Sequence, residues 1–352
     1  MSETLTEAAP VRMHVEQSVR SESGQVLLRS KLRAVSRRMG FSQVARERME
    51  LVCNEMVTNQ MKFAKGSGLV QVWETQLPQP ALDLFALDYG PGIPDLDRAL
   101  RDGFTTANTL GKGLGAIRRL AHESEIYSVP DANTDDLPWH GTAVWARFHT
   151  TEPRQAAPRL PLYGACLRAY QDSLFNGDAL AVACDRAQTR WLHVDGLGHG
   201  QEAAEAVRGA GQILHESGSL ETQMQNLDRR LTAGGRGAVG LLCEADHARN
   251  TLSFMGVGDM SAYLICNGER RSIAFSPGIL GHDHRSPHVE SLPFPVQALF
   301  LTCSDGLRRN WTLRSFPGLW RLHPQLIAFV LAQVTSRGND DRSLFVIRTA
   351  HN

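Results

Sequence analysis

Glu55 and Asn59 stand four residues apart in a stretch of helical periodicity, so their side chains project from one face, one turn apart. A carboxylate in that position can act as a general base toward a hydroxyl or a water, and the amide oxygen beside it can coordinate a magnesium ion between phosphates. Farther along, Asp88-Tyr-Gly-Pro-Gly92-Ile-Pro-Asp95 sets an acid able to accept the exocyclic amine of adenine ahead of glycines that permit close backbone approach. Gly111-Lys112-Gly113-Leu114-Gly115 then precedes a helical run from Ala116 to His122, where free amides and a helix N-terminus could receive phosphates. In that order these residues spell a nucleotide pocket.

A second constellation is purely acidic. Asp178 in Asn-Gly-Asp, Asp195 in Asp-Gly-Leu-Gly-His-Gly, Asp305 in Ser-Asp-Gly-Leu and Asp340 in Gly-Asn-Asp-Asp each begin or end a strand beside small residues. Strand ends from distant parts of a sheet can gather such carboxylates, and hard divalent cations prefer oxygen donors. Two ions roughly 4 Å apart would acidify a water between them and clamp phosphoryl oxygens, which is the chemistry of phosphate-ester hydrolysis. Asp341 is the alternative to Asp340, and Asp259 in Val-Gly-Asp-Met either approaches a third, weak ion or shapes a turn. His282, Asp283, His284 and His288 lie in a Gly/Pro/Ser-flanked stretch without metal-ligand spacing and read as a loop, and His199 is left outside the metal set.

The elements that must position these groups follow from patterning. Residues 11–17 alternate as a strand; Ser23 precedes a helix carrying Val26, Leu27, Leu32 and Val35 that stops at Gly40. A second helix runs from about Ser42 to Ala64 with a stripe of Val44, Met49, Val52, Met56 and Met61. Paired strands at 69–74 and 82–88 lead into the glycine-rich loop. Residues 149–161 carry three prolines and no hydrophobic periodicity, which marks a linker. Beyond it, strands at 179–182, 190–194, 252–254, 262–265, 298–302 and 343–347, with a helix from Gln201 to Glu216, lean toward all-β. The expected organisation is therefore a flexible N-terminus (1–10), a nucleotide domain (11–148), the linker, and an acidic-site domain (162–352).

A chain of 352 residues, 42% hydrophobic and 21% charged, is long enough for two ordinary cores. Lys plus Arg equals Asp plus Glu at 37 each, which gives no field favouring nucleic acid or an anionic membrane; the runs around Arg29 to Arg38 and Arg118-Arg119 read as helix faces. Six cysteines without a Cys-x-x-Cys pair read as reduced and mostly buried. The first residues lack the features of a signal peptide and no stretch has the length of a membrane span, so a cytoplasmic location is expected.

The series Glu55, Asn59, Asp88, Gly92 and 111–115 resembles the GHKL ATPase superfamily. Within it, D-Y-G-P-G-I-P-D, D-G-F-T-T-A-N-T-L-G-K-G-L-G and A-I-R-R-L are similar to the RsbT-type switch kinases of stress-signalling partner-switching systems, over residues 11–148. The resemblance implies an α/β sandwich that binds ATP with magnesium and phosphorylates serine or threonine on a STAS-domain antagonist. It makes Glu55 the catalytic base, Asn59 the magnesium ligand and Asp88 the adenine contact. Gly92, Gly111, Lys112, Gly113, Leu114 and Gly115 would line adenine and phosphates, with Thr142 near the base. Histidine kinases share the pocket but need a phosphoacceptor motif such as H-E-x-x-x-P, which this sequence lacks.

The four acids and Val-Gly-Asp-Met resemble the protein phosphatase 2C class in its SpoIIE-like and RsbX-like branch, over residues 162–350. This implies an α-β-β-α sandwich using two manganese or magnesium ions to hydrolyse phosphoserine or phosphothreonine. Asp195 and the Gly196 carbonyl would bind metal, Asp178 and Asp305 would hold an ion or bridge through water, and Asp340 would complete the set. No basic phosphate clamp follows from the resemblance. The combined expectation is an α/β (α+β) two-domain, bifunctional partner-switching regulator acting on a STAS-type antagonist, with a sigma factor or another switch protein as further partner. The alternative is a phosphatase gated by a non-catalytic ATP-binding module that sequesters a sigma factor or antagonist.

Overall fold

The computed structural model describes residues 10–76, 79–100, 113–131, 137–151, 162–185 and 187–349. It contains two compact units, one of Val11–Gln155 grouped with Arg314–Leu322 and the other built mainly from Ala156–Leu313 and His323–Asn352. The first runs β1 (Val11–Ser18), α1 (Glu22–Arg38), α2 (Gln43–Phe63), β2 (Gly68–Thr75), β3 (Ala81–Asp88), α3 (Leu96–Ala99), α4 (Gly113–Leu120), β4 (Glu123–Val129) and β5 (Gly141–His149). Its strands form one antiparallel sheet in the order β1-β2-β3-β5-β4.

The helices start where side chains can satisfy orphan amides. Ser21 accepts the Gly24 N–H at 3.1 Å and Ser42 accepts the Ala45 N–H at 3.2 Å. Thus α1 begins two residues before the position expected from Ser23. Leu28, Leu32 and Val35 of α1 pack with Met49, Val52, Cys53 and Met56 of α2 onto Val70, Val72, Leu82, Leu84, Val144, Ala146 and Phe148 of the sheet. Val26 and Leu27, expected in that stripe, are 59% and 43% exposed. At about 100° per residue they fall roughly 200° and 100° away from Leu28, so the face chosen by Leu28, Leu32 and Val35 leaves them outside. For the same reason Val44 and Met61 are exposed at the two ends of the α2 stripe.

The second unit runs β6 (Leu162–Arg168), β7 (Asp178–Cys184), β8 (Gln188–Gly196), α5 (Gln201–Ala206), α6 (Leu220–Gly234), β9 (Ala238–Asp246), β10 (Thr251–Val257), β11 (Ser261–Cys266), β12 (Glu269–Ile273), β13 (Glu290–Pro293), β14 (Leu299–Cys303), α7 (Pro324–Val334) and β15 (Arg342–Arg348). Two five-stranded antiparallel sheets result, ordered β13-β10-β9-β8-β7 and β12-β11-β14-β15-β6. Trp191 meets Phe300 and Phe345 at ring-centroid distances of 5.9 and 5.2 Å, and Phe254 meets Phe300 at 6.1 Å, so the sheets face one another through an aromatic core. Leu220, Met224, Leu227 and Leu231 of α6 cover the outer face of the first sheet, and α7 packs on β6 and β15. The layering is α-β-β-α, as expected.

The helix expected over Gln201–Glu216 is divided. α5 stops at Ala206, Gly209 takes φ +73°, and Ala210–His215 continue as a tighter 3₁₀ turn. A residue in the left-handed region cannot continue a right-handed helix. All six cysteines are free, and among the described residues no helix is long and apolar enough to cross a membrane.

Candidate functional site

The nucleotide constellation assembles at the seam between α2 and α4. The buried face of α2 is Met49, Val52, Cys53, Met56 and Gln60, and Gln60 pins the helix to β2 by donating to the Leu69 carbonyl at 2.9 Å. Glu55 and Asn59 sit on the flank of that face, half-buried. Gly113 lies directly against them: a Cβ there would come within 2.9 Å of Glu55 Oε2 and 3.4 Å of the Asn59 amide. Only a residue without a side chain lets the N-terminus of α4 approach the acid and amide this closely. Gly113, Leu114 and Gly115 form the first turn of α4, not the loop ahead of it; Gly111 and Lys112 lie outside the described residues.

Asp88 closes the other side. Its Oδ1 accepts the Gly90 N–H at 2.8 Å and the Thr142 N–H at 3.2 Å, which leaves Oδ2 to meet a ligand. Burial pushes this carboxyl above the usual range, opposed by the two amide hydrogen bonds. Gly92, at φ +69°, would place a Cβ 2.3 Å from the Val129 carbonyl, and Gly141, at φ +136°, would place one 2.1 Å from the Asp88 carbonyl. Both glycines are therefore required by contact as well as conformation. Ser128 ties the floor together, accepting the Ile93 N–H at 2.8 Å, donating to the Gly141 carbonyl at 2.9 Å and lying 3.1 Å from the Thr142 hydroxyl. Trp139 donates to the Asp88 carbonyl at 3.0 Å and stacks on Tyr127. The sequence reading missed Ser128 and Trp139; each is an ordinary residue whose role exists only once β3, β4 and β5 are paired.

The acidic constellation forms at the ends of the facing sheets. Asp178 and Asp195 are direct cross-strand partners on β7 and β8. With side chains alternating along β8, Asp195 shares the face of Trp191 and His193, which points between the sheets. Asp178 Oδ2 accepts the hydroxyls of Ser304 and Ser343, both at 2.7 Å, while its buried Oδ1 has no hydrogen-bond partner. Because Ser343 donates to Asp178, it accepts from His193 Nε2 at 2.6 Å, and His193 Nδ1 in turn accepts from Thr302 at 2.9 Å. Burial holds this imidazole down to about 3, so it is neutral. His193, Ser304 and Ser343 were not legible as site residues.

Gly196 donates to the Gly177 carbonyl at 2.9 Å, which fixes the turn after Asp195. The neighbouring aspartates divide in role. Asp341 is buried and fully engaged, with Oδ1 accepting the Tyr170 N–H and Oδ2 the Gly177 N–H, both at 2.6 Å. Asp340 is half-buried and repels both Asp195 and Asp305. Asp340 thus bears on Asp178, Asp195 and Asp305, whereas Asp341 bears on Asp178 and has both oxygens committed to bracing the loops. A Cβ on Gly306 would lie 1.9 Å from the Asp341 carbonyl, which explains the glycine of Ser-Asp-Gly.

Charge crowding is the dominant electrostatic fact here. Burial raises the pKa of Asp178, helped by the charges of Asp341 and Asp340 and opposed by its two serines. Burial raises Asp195 as well, and Asp178, Asp305 and Asp340 add to it. Asp305 is raised by burial, Asp340 and Asp259, and lowered by Arg337 and Arg309. A buried carboxylate oxygen without a donor, among acids that mutually resist ionisation, fits a divalent cation. Among the described residues no three His, Cys, Asp or Glu side chains converge closely enough to hold an ion by themselves. Any ion held here would need further oxygen donors besides these side chains. His284 instead pairs with Asp228 at 3.1 Å and His288 lies 3.6 Å from Glu290, consistent with the loop reading of that stretch.

Residues 20–147 match the family model described as histidine kinase-like ATPase domain. Over 105 residues the chain is 35% identical to the serine/threonine-protein kinase RsbT of Bacillus subtilis, a span that covers 29% of this chain and 77% of that protein. Among solved structures it is similar to a chain of the bacterial stressosome, at 25% identity and TM-score 0.49, covering 54% of this chain and 100% of the other. It is also similar to RsbX in complex with magnesium, at 16% identity and TM-score 0.49, covering 55% and 98%.

Proposed function

Because the chain belongs, through its first unit, to the family of the serine/threonine-protein kinase RsbT, we propose that it is a bifunctional partner-switching regulator, a kinase of a STAS-type antagonist joined to a metal-dependent phosphoserine or phosphothreonine phosphatase. The observation that carries the reading is that each unit gathers its own acid constellation: Glu55 and Asn59 against Gly113 in one, Asp178 opposite Asp195 in the other.

In the kinase half, Glu55 would take the proton of the acceptor hydroxyl, Asn59 would hold magnesium, Asp88 would read the adenine amine, and the first turn of α4 would receive phosphate. In the phosphatase half, Asp178, Asp195, the Gly196 carbonyl, Asp305 and Asp340 would hold the ions. Asp178 is kept in place by Ser304 and Ser343. When bound, manganese or magnesium supplies Lewis acidity toward the phosphoryl group. Asp341 holds the Tyr170 and Gly177 amides, so the loops that present Asp178 and Asp340 stay in register. A cytoplasmic setting, with a sigma factor or another switch protein downstream, completes the proposal.

The test is phosphate release from a phosphorylated STAS-domain protein in manganese by the full chain and by Asp195→Ala, with ATP added in a parallel arm. Release that disappears in the variant supports the phosphatase half. Absence of release by the unaltered chain from any such phosphoprotein removes it.

A further inference from the structure

A phosphorylated side chain is a dianion; divalent ions among the four aspartates would offset their charge, and orienting the dianion then calls for donors of the protein that face the site. The sequence names no such group, but the structure narrows the arginines around the acids. Arg236 is committed, donating to the Leu197 carbonyl at 2.9 Å and pairing with Glu202. Its work is to brace the turn after Asp195.

Arg337 is placed differently. Its N–H donates to the Gly306 carbonyl at 2.9 Å, the Arg308 N–H donates to the Thr335 carbonyl at 2.8 Å, and Leu307 bridges to Ser336. Two loops are thereby zipped together, with the Arg337 backbone held beside the residue that follows Asp305. The side chain is exposed and, among the described residues, makes no hydrogen bond or ion pair. Arg309 approaches from the other loop, with Nη2 on the carbonyl of Asp259 and 3.4 Å from its carboxylate, and with a buried Nε that has no partner. Both guanidinium charges reach Asp305. A planar fork of N–H donors matches a phosphate by two parallel hydrogen bonds.

We propose that Arg337, with Arg309 behind it, is the phosphate clamp of the acidic site and orients the phosphorylated side chain over Asp305. This rests on the phosphatase reading.

The test compares the full chain with Arg337→Ala, Arg337→Lys and Arg309→Gln in manganese, using a phosphoserine peptide as substrate and inorganic phosphate as competing ligand. Loss of a charge-assisted hydrogen bond predicts a KM and a phosphate inhibition constant raised about tenfold in Arg337→Ala, with partial recovery in Arg337→Lys. kcat should change by less than about threefold, since the clamp holds ground and transition states alike. The manganese concentration for half-saturation, read by calorimetry, stays unchanged, which a merely structural defect would not allow. Unaltered KM and phosphate inhibition in both Arg337→Ala and Arg309→Gln overturn the clamp. If the unaltered chain binds phosphate by calorimetry and Arg337→Ala does not, the clamp stands even without turnover, and only the catalytic reading falls. If the unaltered chain binds no phosphate, the clamp falls.

Discussion

The two sites solve opposite electrostatic problems. At the seam of α2 and α4 a solitary acid, Glu55, sits beside a neutral amide and a bare glycine backbone. At the ends of the facing sheets the acids crowd each other, and each of Asp178, Asp195 and Asp305 is pushed toward its neutral form. The described part of the first site sets glycine backbone beside one acid; the second is a set of acids that oppose one another's ionisation. Burial at a site is therefore not one effect: around Asp88 it sharpens a hydrogen-bonding acid, and around Asp195 it creates demand for metal.

Four perturbations sharpen or break that contrast. The largest is expected from Asp195→Ala, where removing an acid that Asp178, Asp305 and Asp340 all oppose should lower phosphate release by about 10³-fold or more. The loss should appear together with loss of manganese binding by calorimetry. Next is Glu55→Ala, which should reduce phosphoryl transfer to a STAS acceptor by about 10²- to 10⁴-fold while nucleotide affinity, read by a fluorescent ATP analogue, holds. If transfer is absent in the unaltered chain as well, the first unit is a binding module and the gated-phosphatase alternative gains. A third, mid-sized effect belongs to the pocket floor. Gly141→Ala forces a Cβ against the Asp88 carbonyl in a conformation that disfavours side chains, and should cost about 1–3 kcal/mol in chemical denaturation along with nucleotide affinity.

The smallest effect is a pH dependence. Asp178, Asp195 and Asp305 have folded pKa values above the unfolded value near 4, so the folded state holds protons there that the unfolded chain has released. Their contribution to stability is full below about pH 4 and is lost as pH rises through the raised values. Metal-free protein should therefore lose Tm on going from acid toward neutral pH, and manganese should restore more at neutral than at acid pH. A manganese effect on Tm independent of pH would deny that these acids are the site of binding.

Legibility followed the range of the interactions. Glu55 with Asn59 and Asp88 with Gly92 were visible because each pair lies within one element or turn, where spacing alone sets geometry. The α-β-β-α layers followed from the resemblance to the protein phosphatase 2C class, since strand alternation by itself pointed only toward an all-β second half. The network on Asp178 was not, since Ser304, Ser343 and His193 lie 126, 165 and 15 positions away in number and meet only through register. The different surroundings of Asp340 and Asp341 were equally hidden, since the Tyr170 and Gly177 amides that engage Asp341 lie far from it in sequence. Val26 and Leu27 misled because two adjacent apolar residues fit a helical stripe on paper, whereas Leu28 sets the angle of burial.

The pairing of β6 with β15 has a consequence for the order in which this protein comes to life on the ribosome. The first unit has all its strands by His149, so it can close while the rest is still being made. The second begins with Leu162 but cannot seal its edge, or receive Asp340, until Arg348 has emerged, the longest wait any strand in the molecule endures. During synthesis the nascent chain thus passes through an interval in which the first unit is already formed and the second is not.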